Sequence, residues 1–396
     1  MKALFCSLAA AMFLAAASLP AEAQTPTNYD ESKVPEYSLP EALTFDNGRT
    51  VRNKRQWKRR RAELLETFAS EMYGHVPSKP EGLHFATVSE EKGIFDGVAD
   101  KKTVRIFLDK AETHSFDVLI YMPAKAEGPV PMMVGLNFGP QETEPGGQNI
   151  QRWQFEMACK EGIGVATAWH NSIEPDEKDT KQTYGLRYWY GPEYDWGAIS
   201  AWSWALSRIM DYFETDPAVD CSKVTVMGHS RLGKTALWAG ANDLRFAAVI
   251  SNNSGCCGAA LSRRKYGETF ERIGTSFPYW FVSGFDKYFG KEETFPADQH
   301  ELAALIAPRP LYIASANEDQ WADPKGEWIT ACEAAKVYDR IYGLKGPSHT
   351  ASMPALDEPD DAGRVAYKVR SGAHDVLAQD WVCYIAFVKK NLVDRK

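Results

Sequence analysis

The chain has 396 residues, 44% of them hydrophobic, and a formal net charge of −8 at pH 7. This length and apolar content are sufficient for one large hydrophobic core with room for a small additional module. A net negative charge provides little general attraction for nucleic acid, so composition argues against a nucleic-acid-binding protein.

The first 23 residues are typical of a secretory signal peptide. Lys2 supplies a positive start, residues 3–19 are apolar, and residues 21–23 form a small-x-small cleavage site. No later segment is long and apolar enough to predict a membrane span. We therefore expect residues 24–396 to be secreted or periplasmic, as a monomer.

The N-terminal third predicts an arm, a helix and the edge of a sheet. Residues 24–50 are polar and proline-rich, and a helix is predicted from about residue 55 to residue 73, ending at Gly74. The basic run at 54–61 is expected to form the solvated face of that helix. Alternating apolar residues at 103–108 and 116–122 predict an antiparallel strand pair.

The rest of the chain alternates short apolar strands with helical patterns. Strands are predicted at 131–138, 164–169, 223–227, 247–251, 310–316 and 365–369, and helices near 149–160, 197–213, 231–241, 298–306, 325–335 and 377–390. This order favours one α/β domain, a mostly parallel sheet with helices on both faces. Residues 256–296 and 343–363 interrupt it, and we expect these insertions to build a substrate site at the carboxyl ends of the strands.

The seven cysteines match no zinc-binding spacing, and no metal or cofactor is expected. Export would permit disulfides, although the adjacent Cys256 and Cys257 are poorly placed to bridge each other.

A serine lies where the strand at 223–227 runs into the next helix. Gly228 and Gly233 surround Ser230 in a variant of the Gly-x-Ser-x-Gly corner that holds the nucleophile of α/β-hydrolases. The second glycine comes one residue later than in the usual pattern. The alternative is an ordinary serine that caps the helix.

A serine nucleophile needs a histidine base, and in this fold the chain order is serine, acid, histidine. That order excludes the histidines that precede the serine: His75, His84, His114, His170 and His229. His300 is expected to be a surface or capping residue, and His349 to be solvated. His374 follows the last strand and precedes the final helix, so it is the predicted base.

The acid is expected after the strand at 310–316, where Glu318, Asp319 and Asp323 are all candidates. The residues alone leave the choice open, although Asp323 is well placed to cap the following helix. An oxyanion hole would use the backbone N–H of Arg231 and a second donor from the loop at 136–140.

Several motifs resemble the glucuronoyl esterases, especially their bacterial members. They include Gly-His-Ser-Arg-Leu-Gly-Lys at 228–234 and Glu-Asp-Gln-Trp-Ala-Asp-Pro at 318–324, with further segments at 195–198, 254–260, 277–281, 305–310 and 372–375. The likeness runs from about residue 40 to the C-terminus. It implies an α/β-hydrolase that cleaves esters between 4-O-methyl-glucuronic acid of glucuronoxylan and lignin alcohols.

The resemblance also implies roles for individual residues. Ser230 would be the nucleophile, His374 the base, and the Arg231 guanidinium an oxyanion donor. Lys234, Glu268 and Trp321 would contact the sugar.

The sequence departs from the family at two positions. Many members carry the triad glutamate where this chain has Asn253, and some bacterial members use an acid after the next strand instead, which favours Asp319 with Glu318 in reserve. His229 replaces the fungal cysteine, so the fungal disulfide at this site is expected to be absent. An esterase for acetyl-xylan or other acylated sugars, and an inactive carbohydrate-binding homologue, are the alternatives.

Overall fold

The computed structural model describes residues 26–144, 147–177, 184–348 and 352–394. The predicted signal peptide and His349 lie outside these residues. The strands are β1 (His84–Gly93), β2 (Ala99–Phe107), β3 (Ser115–Pro123), β4 (Val130–Asn137), β5 (Gly164–Trp169), β6 (Val219–His229), β7 (Ala248–Asn252), β8 (Leu311–Ala316) and β9 (Val365–Arg370). The helices are α1 (Lys54–Phe68), α2 (Ile94–Gly97), α3 (Phe155–Lys160), α4 (His170–Ile173), α5 (Leu186–Tyr190), α6 (Ala198–Phe213), α7 (Arg231–Asn242), α8 (Phe270–Ser276), α9 (Gln299–Ala304), α10 (Pro324–Tyr342) and α11 (Ala378–Val388).

All nine strands form one sheet in the order β1-β2-β3-β5-β4-β6-β7-β8-β9. The strands from β5 to β9 in this order pair in parallel, whereas β1, β2 and β3 pair antiparallel at one edge. Apolar side chains of α1, α6, α7, α9 and α10 pack on one face, and those of α3 and α11 pack on the other. The predicted fold class, a three-layer α/β sandwich, is confirmed.

The edge strand β1 was not predicted from the sequence. It pairs antiparallel with β2, yet its residues from 86 to 93 are exposed. A strand that faces water on both sides needs no apolar alternation, so the periodicity signal for a strand is missing.

Helix α1 continues through a π-helical turn to Tyr73, and Gly74 follows with φ of 93°. A Cβ on Gly74 would lie 2.2 Å from the Cα of Trp196. Both the backbone angle and this close approach require glycine, in agreement with the predicted helix end.

The prediction that the basic run 54–61 is solvated is wrong for its last two arginines. Arg60 is buried, pairs with Asp46, and lies 3.3 Å from the carboxylate of the buried Glu301. Half-buried Arg61 donates to the carbonyl oxygens of Leu305 (2.8 Å) and Ala241. The run therefore joins α1 to α9, to Leu305 directly after it, and to the end of α7.

The expectation that His300 lies at the surface is also wrong. Its ring is buried, with Nε2 2.9 Å from the carbonyl oxygen of Pro40, and Asp298 is the residue that caps α9. The N-terminal arm covers this histidine, which a local pattern could not predict.

The two insertions occupy different places. Residues 256–296 lie over the carboxyl ends of the strands, where they contact the loops after β6 and β8. In contrast to the expectation, residues 352–363 run antiparallel beside β9, where Asp360 bridges Tyr367 and the Asp357 N–H donates to the Val369 carbonyl. This segment shields the edge of the sheet.

Across the described ranges, no helix is long and apolar enough to cross a membrane. The six cysteines in this part of the chain are free thiols, and the sulfurs of Cys256 and Cys257 are 3.9 Å apart.

Substitution of Arg60 by Met is expected to lower the free energy of unfolding by about 3 kcal/mol, because buried Glu301 loses its cation. Lys58→Met on the exposed face of α1 is the matched control and should change stability by less than about 0.5 kcal/mol. Urea denaturation measures both, and equal effects would contradict a buried ion pair at Arg60.

Candidate active site

Ser230 occupies a sharp corner between β6 and α7, with φ of 58° and ψ of −127°. A non-glycine residue in this backbone region is strained, as expected of a nucleophile elbow. A Cβ on Gly228 would lie 1.9 Å from the carbonyl oxygen of Leu232, and one on Gly233 would lie 3.0 Å from the Cβ of Ser254. The two glycines therefore let α7 pack closely. The Ser230 side chain does not cap this helix, so the capping alternative loses its support.

His374 lies in the loop between β9 and α11, and its Nδ1 is 2.6 Å from Oδ2 of Asp319. An ionised carboxylate only accepts hydrogen bonds, so Nδ1 carries the proton and Nε2 is left as the basic nitrogen. Asn253 donates from Nδ2 to the same carboxylate oxygen at 2.8 Å. Burial would raise the pKa of Asp319, but the hydrogen bonds from His374 and Asn253 outweigh it and lower the pKa.

The other two acid candidates are placed differently. Glu318 is exposed, and its backbone N–H donates to the carbonyl of Gly372. Asp323 is buried, where it accepts from Arg264 at 2.8 Å and caps α10 through the N–H of Gly326. Of the three predicted candidates, Asp319 is the one whose carboxylate meets His374.

The ring of His229 packs against the ring of His374. The two ring centroids are 4.4 Å apart, and Nδ1 of His229 donates to Oδ1 of Asn252 at 2.7 Å. Asn252 in turn donates to the hydroxyl of Tyr384. Burial, together with the neighbouring His374, lowers the pKa of His229 well below its usual value. His229, at the position where the resemblance places a cysteine in fungal members, thus holds a neutral, hydrogen-bonded ring.

Arg231 is held beside the corner by an acid that the sequence analysis did not identify. Its guanidinium pairs with Asp176, which also accepts from the Tyr279 hydroxyl and the Trp280 indole at 2.8 Å each. The guanidinium lies 4.8 Å from the Trp280 ring centroid and 5.2 Å from that of Phe277. Nε of Arg231 has no partner among the described residues.

The pKa of Asp176 is well below its ordinary value. Burial opposes this shift, but the hydrogen bond from His170 and the charge of Arg231 prevail. The one local signal for Asp176 is its place in a loop that follows the carboxyl end of β5, where site residues gather.

The loop at 136–140 does not supply a free second oxyanion donor, contrary to the expectation. The N–H of Phe138 donates to the Glu142 carboxylate and that of Gly139 to Oδ1 of Asn137, both at 3.0 Å. The backbone N–H of Arg231 lies at the start of α7, directly after Ser230, whereas the Nε of its side chain is buried.

The three residues expected to contact sugar lie close to one another. Lys234 is buried and donates from Nζ to the carbonyl of Ser254 at 2.5 Å. The Glu268 N–H donates to the Trp321 carbonyl at 3.0 Å, and 41% of the Trp321 surface is exposed. Burial raises the pKa of Glu268, although Lys234 and a hydrogen bond with Trp321 partly offset the rise. The cluster presents an acid, a cation and an open indole face.

A strained serine corner and an adjacent histidine–aspartate pair at the carboxyl ends of a mostly parallel sheet are features of serine hydrolases with the α/β-hydrolase fold.

Comparison with known proteins identifies the family. The sequence model for fungal glucuronyl esterases matches residues 106–342. A carbohydrate esterase from an unknown prokaryotic organism is 42% identical over 407 aligned positions, which cover 92% of each chain. A 4-O-methyl-glucuronoyl methylesterase of Wolfiporia cocos is 30% identical over 326 positions, covering 78% of this chain and 74% of the relative.

Solved structures agree. A promiscuous CE15 esterase from the marine bacterial metagenome superposes with a TM-score of 0.85 at 41% identity, covering 93% of this chain and all of the other. A glucuronoyl esterase from Solibacter usitatus gives the same TM-score and identity, covering 91% of this chain and 100% of its own. The chain belongs to the glucuronoyl esterase family and is a carbohydrate ester hydrolase, as the sequence motifs predicted.

Ionisation of Asp319 should stabilise the fold, because its pKa is lower in the folded than in the unfolded chain. This contribution is present above the ordinary aspartate pKa of about 3.9 and is lost as the pH falls through the lower folded value. Urea unfolding at successive pH values should therefore show that wild type loses more stability on acidification than Asp319→Asn. Equal losses would contradict the lowered pKa.

Proposed function

We propose that this chain hydrolyses esters of 4-O-methyl-glucuronic acid that link glucuronoxylan to lignin alcohols, through an acyl-enzyme on Ser230. The observation that carries the proposal is the 2.6 Å contact between His374 Nδ1 and Asp319, beside a strained serine corner. It gives the histidine the tautomer that a serine nucleophile needs.

The first half of the reaction forms the acyl-enzyme. His374 Nε2 takes the proton of the Ser230 hydroxyl as its oxygen attacks the carbonyl carbon of the ester. The negative charge that develops on the carbonyl oxygen is stabilised by the backbone N–H and the guanidinium of Arg231. The tetrahedral intermediate collapses, the C–O bond to the alcohol breaks, and His374 donates its proton to the departing oxygen.

The second half releases the acid. Water enters, loses a proton to His374 and attacks the acyl carbon, and the bond to Ser230 breaks as its oxygen regains a proton. Asp319 keeps the imidazole oriented and stabilises its cation in both halves. Asn253 assists by donating to the Asp319 carboxylate, a role that an amide can fill although it cannot replace the acid.

Sugar recognition is assigned to Lys234, Glu268 and Trp321. The exposed indole offers a flat apolar face to a pyranose ring, while the buried ammonium and the glutamate offer hydrogen bonds to hydroxyl groups. Relatives named 4-O-methyl-glucuronoyl methylesterases support the uronic-acid ester as substrate. The protein is proposed to act as an exported monomer, without a nucleic-acid partner.

A second candidate is an esterase for acetyl-xylan or other sugar esters. It is favoured by the structural relative described as promiscuous. An inactive carbohydrate-binding role is disfavoured, because the histidine–aspartate contact is retained despite the loss of the family glutamate at Asn253.

Benzyl glucuronate should be hydrolysed by the wild type, and Ser230→Ala should remove the activity to background because the acyl-enzyme cannot form. An acetylated sugar assayed in parallel separates the two candidates. Release of acetate alone would assign the protein to the acetyl esterases, and hydrolysis by Ser230→Ala would contradict the acyl-enzyme.

Asp319→Asn should lower kcat on benzyl glucuronate by about 10³–10⁴, since the neutral amide favours the wrong imidazole tautomer. Glu318→Gln, which alters the exposed neighbouring acid, is the matched control and should retain wild-type kcat. A larger loss in Glu318→Gln than in Asp319→Asn would move the acid role to Glu318.

A further inference from the structure

Residues 26–34 contact the loop that carries Glu268, one of the three residues proposed to bind the sugar. We call this segment the strap. The Asn28 carbonyl accepts from the N–H of Gly267 at 2.8 Å, and the carbonyl oxygen of Tyr29 lies 3.2 Å from the hydroxyl oxygen of Tyr266. The rings of Tyr29 and Tyr266 meet edge to face. Gly267 directly precedes Glu268, so the strap fixes the backbone that carries this glutamate.

Glu31 of the strap makes the ionic contacts of this segment with the rest of the described chain. Its carboxylate accepts from Nη2 of Arg264 at 2.8 Å and from Nζ of Lys325 at 2.6 Å. Burial opposes ionisation of Glu31, but these two cations outweigh it and lower its pKa. Arg264 is 2% exposed and also donates from Nε to Asp323 at 2.8 Å. One buried guanidinium thus joins the strap to the segment that carries Trp321.

The two sugar-site loops depend on close mutual approach. Gly267 has φ of 64°, and a Cβ there would lie 2.4 Å from the carbonyl oxygen of Trp321. The same carbonyl accepts from the N–H of Glu268, and the Tyr266 hydroxyl donates to the side chain of Gln320. A shift of either loop would therefore change the placement of the Glu268 carboxylate against the Trp321 indole.

We propose that the strap is part of the sugar-recognition site and that Glu31 is a positioning residue, holding Glu268 and Trp321 in place for a uronic-acid ring. The inference rests on the proposed function of those two residues. Without the Glu31 carboxylate, buried Arg264 keeps Asp323 but loses its second anion, and the strap loses its ionic link to Arg264 and Lys325.

The effect should be specific to the sugar. In the described part of the chain, the polar contacts that the strap makes outside itself go to Arg264, Tyr266, Gly267 and Lys325, and none goes to Ser230, His374 or Asp319. A disturbed strap should therefore weaken binding of a glucuronate ester more than it affects attack on an ester that has no sugar.

The experiment measures kcat and KM of the full mature chain on benzyl glucuronate and on 4-nitrophenyl acetate. Because one partly exposed charged contact is lost, Glu31→Gln should lower the ratio of the two kcat/KM values about threefold to tenfold, chiefly through KM for the glucuronate. Glu31→Asp keeps the charge and should restore part of the ratio. Glu36→Gln, an exposed carboxylate close by, is the matched control.

Thermal unfolding of each variant separates positioning from stability. An unchanged ratio in Glu31→Gln would overturn the proposal, and so would a parallel fall on both substrates together with a lowered Tm. Wild type that cleaves 4-nitrophenyl acetate but not benzyl glucuronate would overturn the proposed function, and the role of the strap in sugar recognition with it.

Discussion

The strained corner at Ser230 is the constraint on which the site depends. A serine with φ of 58° persists only because the surrounding structure fixes it: its N–H donates to the Asn252 carbonyl, and Gly228 and Gly233 let β6, α7 and the loop after β7 pack without side chains between them. This corner places the backbone N–H of Arg231 at the start of α7, directly after Ser230. It also places Lys234 one helical turn further on, against the Ser254 carbonyl.

The acid proposed for the triad lies after a different strand from the position that the family resemblance singles out. Because β7 and β8 are parallel neighbours, residues after their carboxyl ends lie side by side, and either can reach a histidine in the loop after β9. In this chain the carboxylate that contacts His374 is Asp319, after β8, and the residue after β7 is Asn253, which donates a hydrogen bond to it. The position after β7 therefore carries a neutral hydrogen-bond donor, and the position after β8 carries the charged carboxylate that accepts from it.

Features that depend on residues close together in the sequence could be predicted, whereas contacts between residues far apart in the chain could not. Ser230 and His374 could be selected as candidates because local strand-to-helix patterns and chain order point to them. The selection of Asp319 over Glu318 needed the family resemblance. The partnership of Asp176 with Arg231, the burial of Arg60 against Glu301 and the second anion of Arg264 join residues far apart in the chain. No local pattern encodes such pairs, and the polar strand β1 lacked a pattern altogether.

The most direct test of the central claim is proton NMR of the hydrogen bond between His374 and Asp319. A short bond from an imidazole N–H to a carboxylate gives a proton resonance far downfield. The wild type should show this signal, Glu318→Gln should keep it, and Asp319→Asn should lose it. Its persistence in Asp319→Asn, with activity retained, would show that another group orients the histidine and would contradict the account.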